Sequence, residues 1–249
     1  MDVKWQPPPL QNEKKPAISV ITYYQRATGS ANWLSTNTRP DLTQTVNKLC
    51  EANANPSSYY LEAVKRFLRY LQGTKSWGIT LGGKEFTKKE LGLQIYADAA
   101  FGNDPIYRFS TGGHVVLAGG GPLFWKSKKQ TLVTLSSTEA EFVNLTPAGL
   151  TAIWIANILK EAGCPQKIPH ILFTDSANAL QIAMRPENAA RTRHIDIRYK
   201  WIQDRIKKGQ FKIKHIPTTE MVADGLTKPL GREKFTQFVK MIGVGPCPW

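Results

Sequence analysis

Leu91-Gly92-Leu93-Gln94-Ile95-Tyr96-Ala97-Asp98 is the stretch from which the fold is read. Leu91, Leu93, Ile95 and Ala97 alternate with Gly92, Gln94, Tyr96 and Asp98, the period of two that marks a strand with one buried face. Downstream, His114 to Ala118 and Leu123 to Lys126 flank Gly119-Gly120-Gly121 and read as a hairpin. Leu132 to Leu135 extend the strand pattern. A helix is expected from Ser136 or Ser137 to about Ala162, then a buried strand at Ile171-Leu172-Phe173 that ends at Asp175. A helix follows, then another from about Ile195 to Lys208, a strand over Phe211 to Ile216, and a last helix opened by Asp224. The order β-β-β-α-β-α-α-β-α describes an α/β domain, a mixed five-stranded sheet flanked by helices.

Upstream the pattern changes. Residues 1–16 are polar, contain Pro7-Pro8-Pro9 and read as a flexible tail. From Ile18 to about Leu81 the pattern is mainly helical. Asn55 is placed to cap a helix with Pro56 at its first position. Leu61, Val64, Phe67, Leu68 and Leu71 then recur at helical spacing. Gly73 ends that helix, and Trp77-Gly78-Ile79-Thr80-Leu81 reads as a short strand. Gly82-Gly83 and the charged run Lys84 to Glu90 mark a boundary. The expected organisation is a tail over 1–16, a small helical region over 17–90, the α/β domain over 91–230, and a helix and tail over 231–249.

The chain has 249 residues, of which 33 are Lys or Arg and 19 Asp or Glu, a formal charge of +14. Residues 1–90 hold 13 basic and 7 acidic residues (net +6), and residues 91–249 hold 20 and 12 (net +8). An excess spread over both halves favours a polyanionic partner. A hydrophobic content of 41% supports a packed core and excludes a disordered chain. No uninterrupted apolar run reaches about 18 residues, so no membrane partner is expected. The N-terminus lacks an apolar signal core, so secretion is not expected. Cys50, Cys164 and Cys247 are scattered and odd in number, which fits a reducing compartment.

Four acidic residues fall where elements begin or end: Asp98, Glu141, Asp175 and Asp224. A carboxylate at the end of a buried strand is costly to ionise without a cation beside it. Several together repel one another, and a shared divalent cation resolves both problems. Oxygen ligands favour Mg2+, with Mn2+ as a substitute. Two such ions can activate a water and stabilise the leaving oxygen of a phosphodiester. Each carboxylate also has a plain reading as a turn or cap residue, and spacing alone does not bring the four together.

Here ordered motifs accumulate. They are Tyr96-Ala97-Asp98-Ala99, Arg108-Phe109-Ser110-Thr111-Gly112-Gly113, Trp125-Lys126-Ser127-Lys128-Lys129-Gln130, Ser136-Ser137-Thr138-Glu139-Ala140-Glu141-Phe142, Thr174-Asp175-Ser176, Arg193-His194-Ile195-Asp196 and Ala223-Asp224-Gly225-Leu226-Thr227-Lys228-Pro229-Leu230. Residues 91 to about 230 resemble the RNase H domain of copia-type LTR retrotransposon Pol polyproteins. Thr38-Arg39-Pro40-Asp41 and Ala63-Val64-Lys65-Arg66-Phe67-Leu68 look like the segment that joins reverse transcriptase to RNase H in the same polyproteins. No Tyr-x-Asp-Asp polymerase motif is present. The resemblance implies an RNase H-like fold and a nuclease for the RNA strand of RNA–DNA hybrids. It implies that Asp98, Glu141, Asp175 and Asp224 bind two Mg2+ ions, with Asp98 bridging them. It also implies the reverse transcriptase portion of the polyprotein as a partner, and a cytoplasmic location in element particles, or a nuclear one.

Glu139 competes with Glu141 for the helix position. Ser136-x-x-Glu139 is a capping box in which Glu139 bonds back to the Ser136 amide, which leaves Glu141 for the metal. Pro147 lies within the long helix and removes a bond to the Val143 carbonyl, at about 3 kcal/mol if the helix runs straight through; a break, with Thr146 capping a new segment, is the milder solution. Ala100 stands where relatives often carry a second Asp. The loop before Asp224 lacks a His, and His215 is expected in the preceding strand. Lys126, Lys128, Lys129, Ser176, Arg191, Arg193, His194 and Arg198 are the candidates for nucleic-acid contact, of the phosphate-directed kind. The alternative reading is a catalytically inactive nucleic-acid-binding relic of a truncated polyprotein, for which Pro147 is the hint.

Overall fold

The computed structural model describes residues 16–82, 92–184 and 196–247, with the backbone alone for 196–199. The chain divides into two compact units, one of residues 1–80 with 228–249 and the other of residues 81–227.

The first unit begins with α1 (Ile18–Asn37), a 3-10 turn at Pro40–Leu42, α2 (Thr43–Cys50), α3 (Ser58–Gly73) and β1 (Trp77–Ile79). Tyr24, Thr28, Ala31 and Ser35 of α1 recur at helical spacing and face the core. Tyr24 and Ala31 pack in one cluster with Leu42, Val46, Leu49, Val64 and Phe67. α3 starts at Ser58, with Ser57 in extended conformation before it. Residues 51–55 form turns, so Asn55 does not cap this helix. The buried stripe of α3 is Tyr60, Ala63, Val64 and Phe67, whereas Leu68 is exposed. Of the expected stripe, Val64 and Phe67 are buried and Leu61 and Leu71 pack partly buried against the core, while Leu68 gives way to Tyr60 and Ala63. Arg39 and Asp41 pair inside this unit: Arg39 donates to both Asp41 oxygens (2.9 and 2.8 Å) and to the Thr74 carbonyl (3.0 Å). The Tyr70 hydroxyl donates to Asp41 Oδ2 at 2.8 Å, so the buried carboxylate is multiply satisfied.

The second unit contains the sheet. Its elements are β2 (Gln94–Ala100), β3 (Thr111–Ala118), β4 (Gly121–Lys129), α4 (Ser137–Glu161), β5 (His170–Thr174), α5 (Ala177–Met184), α6 (Asp196–Lys207), β6 (Phe211–His215) and α7 (Asp224–Thr227). The strand order is β4-β3-β2-β5-β6. β2, β3 and β4 form an antiparallel meander, β5 runs parallel to β2, and β6 runs parallel to β5. This is the mixed five-stranded sheet flanked by helices that the period-two stretch anticipated. Leu132 to Leu135 are not strand but lead into α4. On one face, Ile95, Ala97 and Val116 pack with Phe142, Leu145, Ala148 and Ala152 of α4. On the other, Tyr96 stacks on Phe173 with centroids 4.8 Å apart, over Ile216, Met221 and Ala223.

α4 is long and apolar enough to cross a membrane by length and composition. Its packing against the sheet identifies it as a core helix. It runs unbroken through Pro147, the costlier of the two alternatives. The lost bond costs about 3 kcal/mol. Packing outweighs it: α4 lies on the sheet, and a Cβ on Gly149 would stand 3.0 Å from the Trp201 ring of α6. The chain then returns to the first unit as α8 (Arg232–Met241) and β7 (Val244–Pro246). β7 pairs antiparallel with β1, Trp77 opposite Pro246. Residues 231–249, expected as a separate helix and tail, thus belong with the helical unit.

His114 of β3 is buried, and its Nε2 lies 3.0 Å from Thr151 Oγ1. The Thr151 proton goes to the Pro147 carbonyl (3.0 Å), so Nε2–H of a neutral imidazole is the donor to Thr151. Burial, with the charge of Lys126 added, pushes the His114 pKa down to about 4. In the unfolded chain a histidine takes up a proton below about pH 6.5, whereas the folded one resists until about pH 4. His114 therefore draws stability out of the fold as pH falls through this window, and adds no further loss below it. His114→Gln should show a smaller drop in urea midpoint between pH 7 and pH 4.5 than the wild type. Equal drops would contradict the assignment.

Candidate active site

Asp98 lies in β2 opposite Gly113 of β3, and Ala99 lies opposite Gly112. The two glycines face opposite sides of the sheet, and each admits a close neighbour. A Cβ on Gly112 would collide with the side-chain amide of Asn144 on α4. A Cβ on Gly113 would stand 2.7 Å from Thr227 Cγ2 and 2.8 Å from Leu226 Cβ on α7. The helices on both faces therefore approach the strand at the level of Asp98, which only Gly permits.

Polar groups occupy those approaches. Asn144 is buried, and its Nδ2 donates to the carbonyls of Asp98 (2.8 Å) and Gly113 (2.7 Å). It lies three residues after Glu141, on the same helix face. The Thr227 hydroxyl donates to Asp98 Oδ2 from the α7 side. Asp175 follows β5. Its Oδ2 accepts the Thr218 hydroxyl at 2.8 Å, and its backbone carbonyl lies 3.0 Å from His215 Nε2. His215 ends β6, as expected.

The result is convergence. Asp98, Glu141 and Asp175 each present a carboxylate oxygen, and these oxygens lie within 4.8 Å of one another. Asp98 and Glu141 are buried and Asp175 is half-buried. Glu141 Oε2 is buried without a hydrogen-bond partner. Burial, then the charges of Asp98 and Asp175, push the Glu141 pKa far above the carboxylate range, against a hydrogen bond from the Ala99 amide. Three hard oxygen donors with an unsatisfied buried oxygen fit a divalent cation, which would remove the repulsion and complete the coordination. Asp224 is buried at the start of α7 but lies outside this group of three. Glu139 is accounted for differently. Its Oε2 accepts the Leu135 amide at 2.7 Å, one residue before the amide expected, and its own amide bonds Ser136 Oγ at 3.2 Å. Glu139 is thus a cap, and Glu141 is the helix carboxylate of the cluster.

The basic candidates separate. Lys126 and Lys128 are exposed on the face of β4 that carries His114 and Gly112 in β3. They line a cleft of about 410 Å³ against Asn144, Pro147 and Leu150 of α4. Lys129 pairs with Asp104. The Lys129 ammonium and the amides of Tyr107 and Ile106 outweigh burial and hold the Asp104 carboxyl below its ordinary pKa. Ser176 Oγ accepts the Ala179 amide at 3.2 Å, the role of a cap for α5. Arg191, Arg193 and His194 lie outside the described residues, and Arg198 lies in α6 where only the backbone is described. Sequence reasoning missed Asn144, Thr218 and Thr227. A polar Asn inside an apolar helix run, and Gly-Gly inside a strand, were the available signals.

No protein-family model matches the chain. It is 37% identical over 229 residues to the Retrovirus-related Pol polyprotein from transposon RE1 of Arabidopsis thaliana, covering 91% of this chain and 15% of that protein. It is 36% identical over 236 residues to the corresponding polyprotein from transposon TNT 1-94 of Nicotiana tabacum, covering 95% of this chain and 17% of the relative. The chain therefore spans less than one fifth of the length of these relatives. Among solved structures it is similar to LC11-RNase H1 isolated from compost, at 17% identity and a TM-score of 0.44, covering 55% of this chain and 93% of that one. The chain is thus similar over nine-tenths of its length to retrotransposon Pol polyproteins, the proteins its motifs resemble, and its second unit carries the mixed five-stranded sheet expected of an RNase H-like fold.

Proposed function

We propose that this chain is a metal-dependent endoribonuclease that cuts the RNA strand of RNA–DNA hybrids during reverse transcription of its element. The observation that carries the reading is the convergence of Asp98, Glu141 and Asp175, residues distant in sequence, within 4.8 Å. Hydrolysis of a phosphodiester needs an activated water and a stabilised leaving oxygen, and two divalent ions held by such carboxylates supply both. Mg2+ is the ion expected, with Mn2+ as its substitute. Water would add to phosphorus as the bond to O3′ breaks, leaving 3′-hydroxyl and 5′-phosphate ends.

The chain's own residues fix the geometry. Asn144 holds the Asp98 backbone, Thr227 holds its carboxylate, and Thr218 holds Asp175. Asp224, at the head of α7, is assigned to complete one of the two ion sites. Lys126 and Lys128, which make no ion pair among the described residues, are assigned to the phosphates of the hybrid. Such contacts are nearly blind to sequence and strongly dependent on salt. The helical unit is assigned to docking on the reverse transcriptase portion of the polyprotein, within element particles in the cytoplasm or in the nucleus.

Asp98→Asn should lower Mg2+-dependent cleavage of a labelled hybrid by at least about a hundredfold, the scale for loss of one electrostatic stabiliser, while hybrid binding is retained. Undiminished cleavage by that variant would overturn the reading. A wild-type protein that binds hybrids but cleaves none in Mg2+ or Mn2+ would establish the inactive relic instead. Replacing Lys126 and Lys128 together by Ala should reduce the slope of log affinity against log salt by about 2. An unchanged slope would remove both lysines from the binding surface.

A further inference from the structure

We propose that Thr227 is a positioning residue that presets the Asp98 carboxylate for the cation, and that its hydroxyl, not its bulk, does this. The inference rests on the metal reading above and extends it to a residue outside the carboxylate set.

Thr227 is fully buried. Its hydroxyl has one proton and two acceptors in reach, Asp98 Oδ2 and the Asp224 carbonyl at 3.1 Å. Donation to a carboxylate is charge-assisted and the stronger of the two. The same side chain therefore touches the first-strand carboxylate and the backbone of the residue that opens α7. Its own carbonyl is anchored as well: Asn103 Nδ2 donates to it at 3.3 Å, and Asn103 Oδ1 accepts the Thr111 hydroxyl at 2.8 Å. Hence Thr227 is held at both ends to the end of the β2–β3 pair that carries Asp98. A carboxylate whose rotation is set before the ion arrives loses less freedom on binding, and partners of this kind are worth about 10- to 100-fold in metal affinity.

The competing role is packing. Thr227 Cγ2 lies over Gly113, where the added Cβ would meet it at 2.7 Å. The two roles predict opposite orders for two substitutions. Thr227→Val keeps both γ substituents in shape and loses the hydroxyl. Thr227→Ser keeps the hydroxyl and loses the methyl.

The test is direct Mn2+ binding to the full chain, followed by electron paramagnetic resonance without substrate, with thermal unfolding of each variant recorded alongside. Thr227→Val should weaken Mn2+ binding by about tenfold or more, and Thr227→Ser should stay near the wild type. In cleavage, the Mg2+ concentration for half-maximal rate should rise in Thr227→Val while KM for the hybrid holds. If Thr227→Val does not fold, Thr227→Ala against Thr227→Ser makes the same comparison. Wild-type affinity in the hydroxyl-free variant, or a Ser variant worse than it, would overturn the proposal. Wild-type protein that binds no Mn2+ would overturn the metal reading and this inference with it.

Discussion

Close backbone approach at Gly112 and Gly113 is the constraint on which the site depends. Neighbouring residues of a strand point to opposite faces, so two consecutive glycines open both sides of the sheet at one level. That level is the level of Asp98, through the β2–β3 register. On one face the opening admits Asn144, which brings the segment of α4 that holds Glu141 against the strand. On the other it admits Thr227 and Leu226, which bring in the turn that begins at Asp224. A side chain at either glycine would push one carboxylate-bearing element away from the others.

Convergence creates an electrostatic problem as well as a site. Three carboxylates within 4.8 Å, two of them buried, are unstable as a set of free anions. Hydrogen bonds from Thr227 and Thr218 relieve Asp98 and Asp175 in part. Glu141 keeps a buried oxygen with no such relief. The fold thus maintains an arrangement that a divalent cation would stabilise, and α4 supports it despite Pro147. The N-terminal half of this helix is mostly buried, and its place is set by tertiary packing more than by its own propensity.

What could be read from the sequence follows the range of the interactions. Period-two alternation and apolar runs are local, so Leu91 to Asp98 and Ile171 to Phe173 were read as strands and the order of elements was recovered. The capping box is local too, and it separated Glu139 from Glu141, although the amide bonded is that of Leu135 rather than Ser136. Features set by distant partners were misread or missed. The three-residue strand at Val244–Pro246 exists through its pairing with Trp77–Ile79, so the C-terminal segment looked like a tail. The stripe of α3 is wider than its leucines suggest, because Tyr60 and Ala63 also face the core built by α1 and α2. Asn144 stands out locally only as a polar residue in an apolar helix run and Thr227 not at all, and only the fold brings them 46 and 129 residues back to Asp98.

The most direct test of the whole account is a crystal structure of the chain grown with Mn2+ and measured for anomalous scattering. The account predicts a peak within coordination distance of the carboxylate oxygens of Asp98, Glu141 and Asp175, on the order of 2.1 Å for ions of this kind. Density that places Mn2+ elsewhere, with those three carboxylates left unligated, would contradict it.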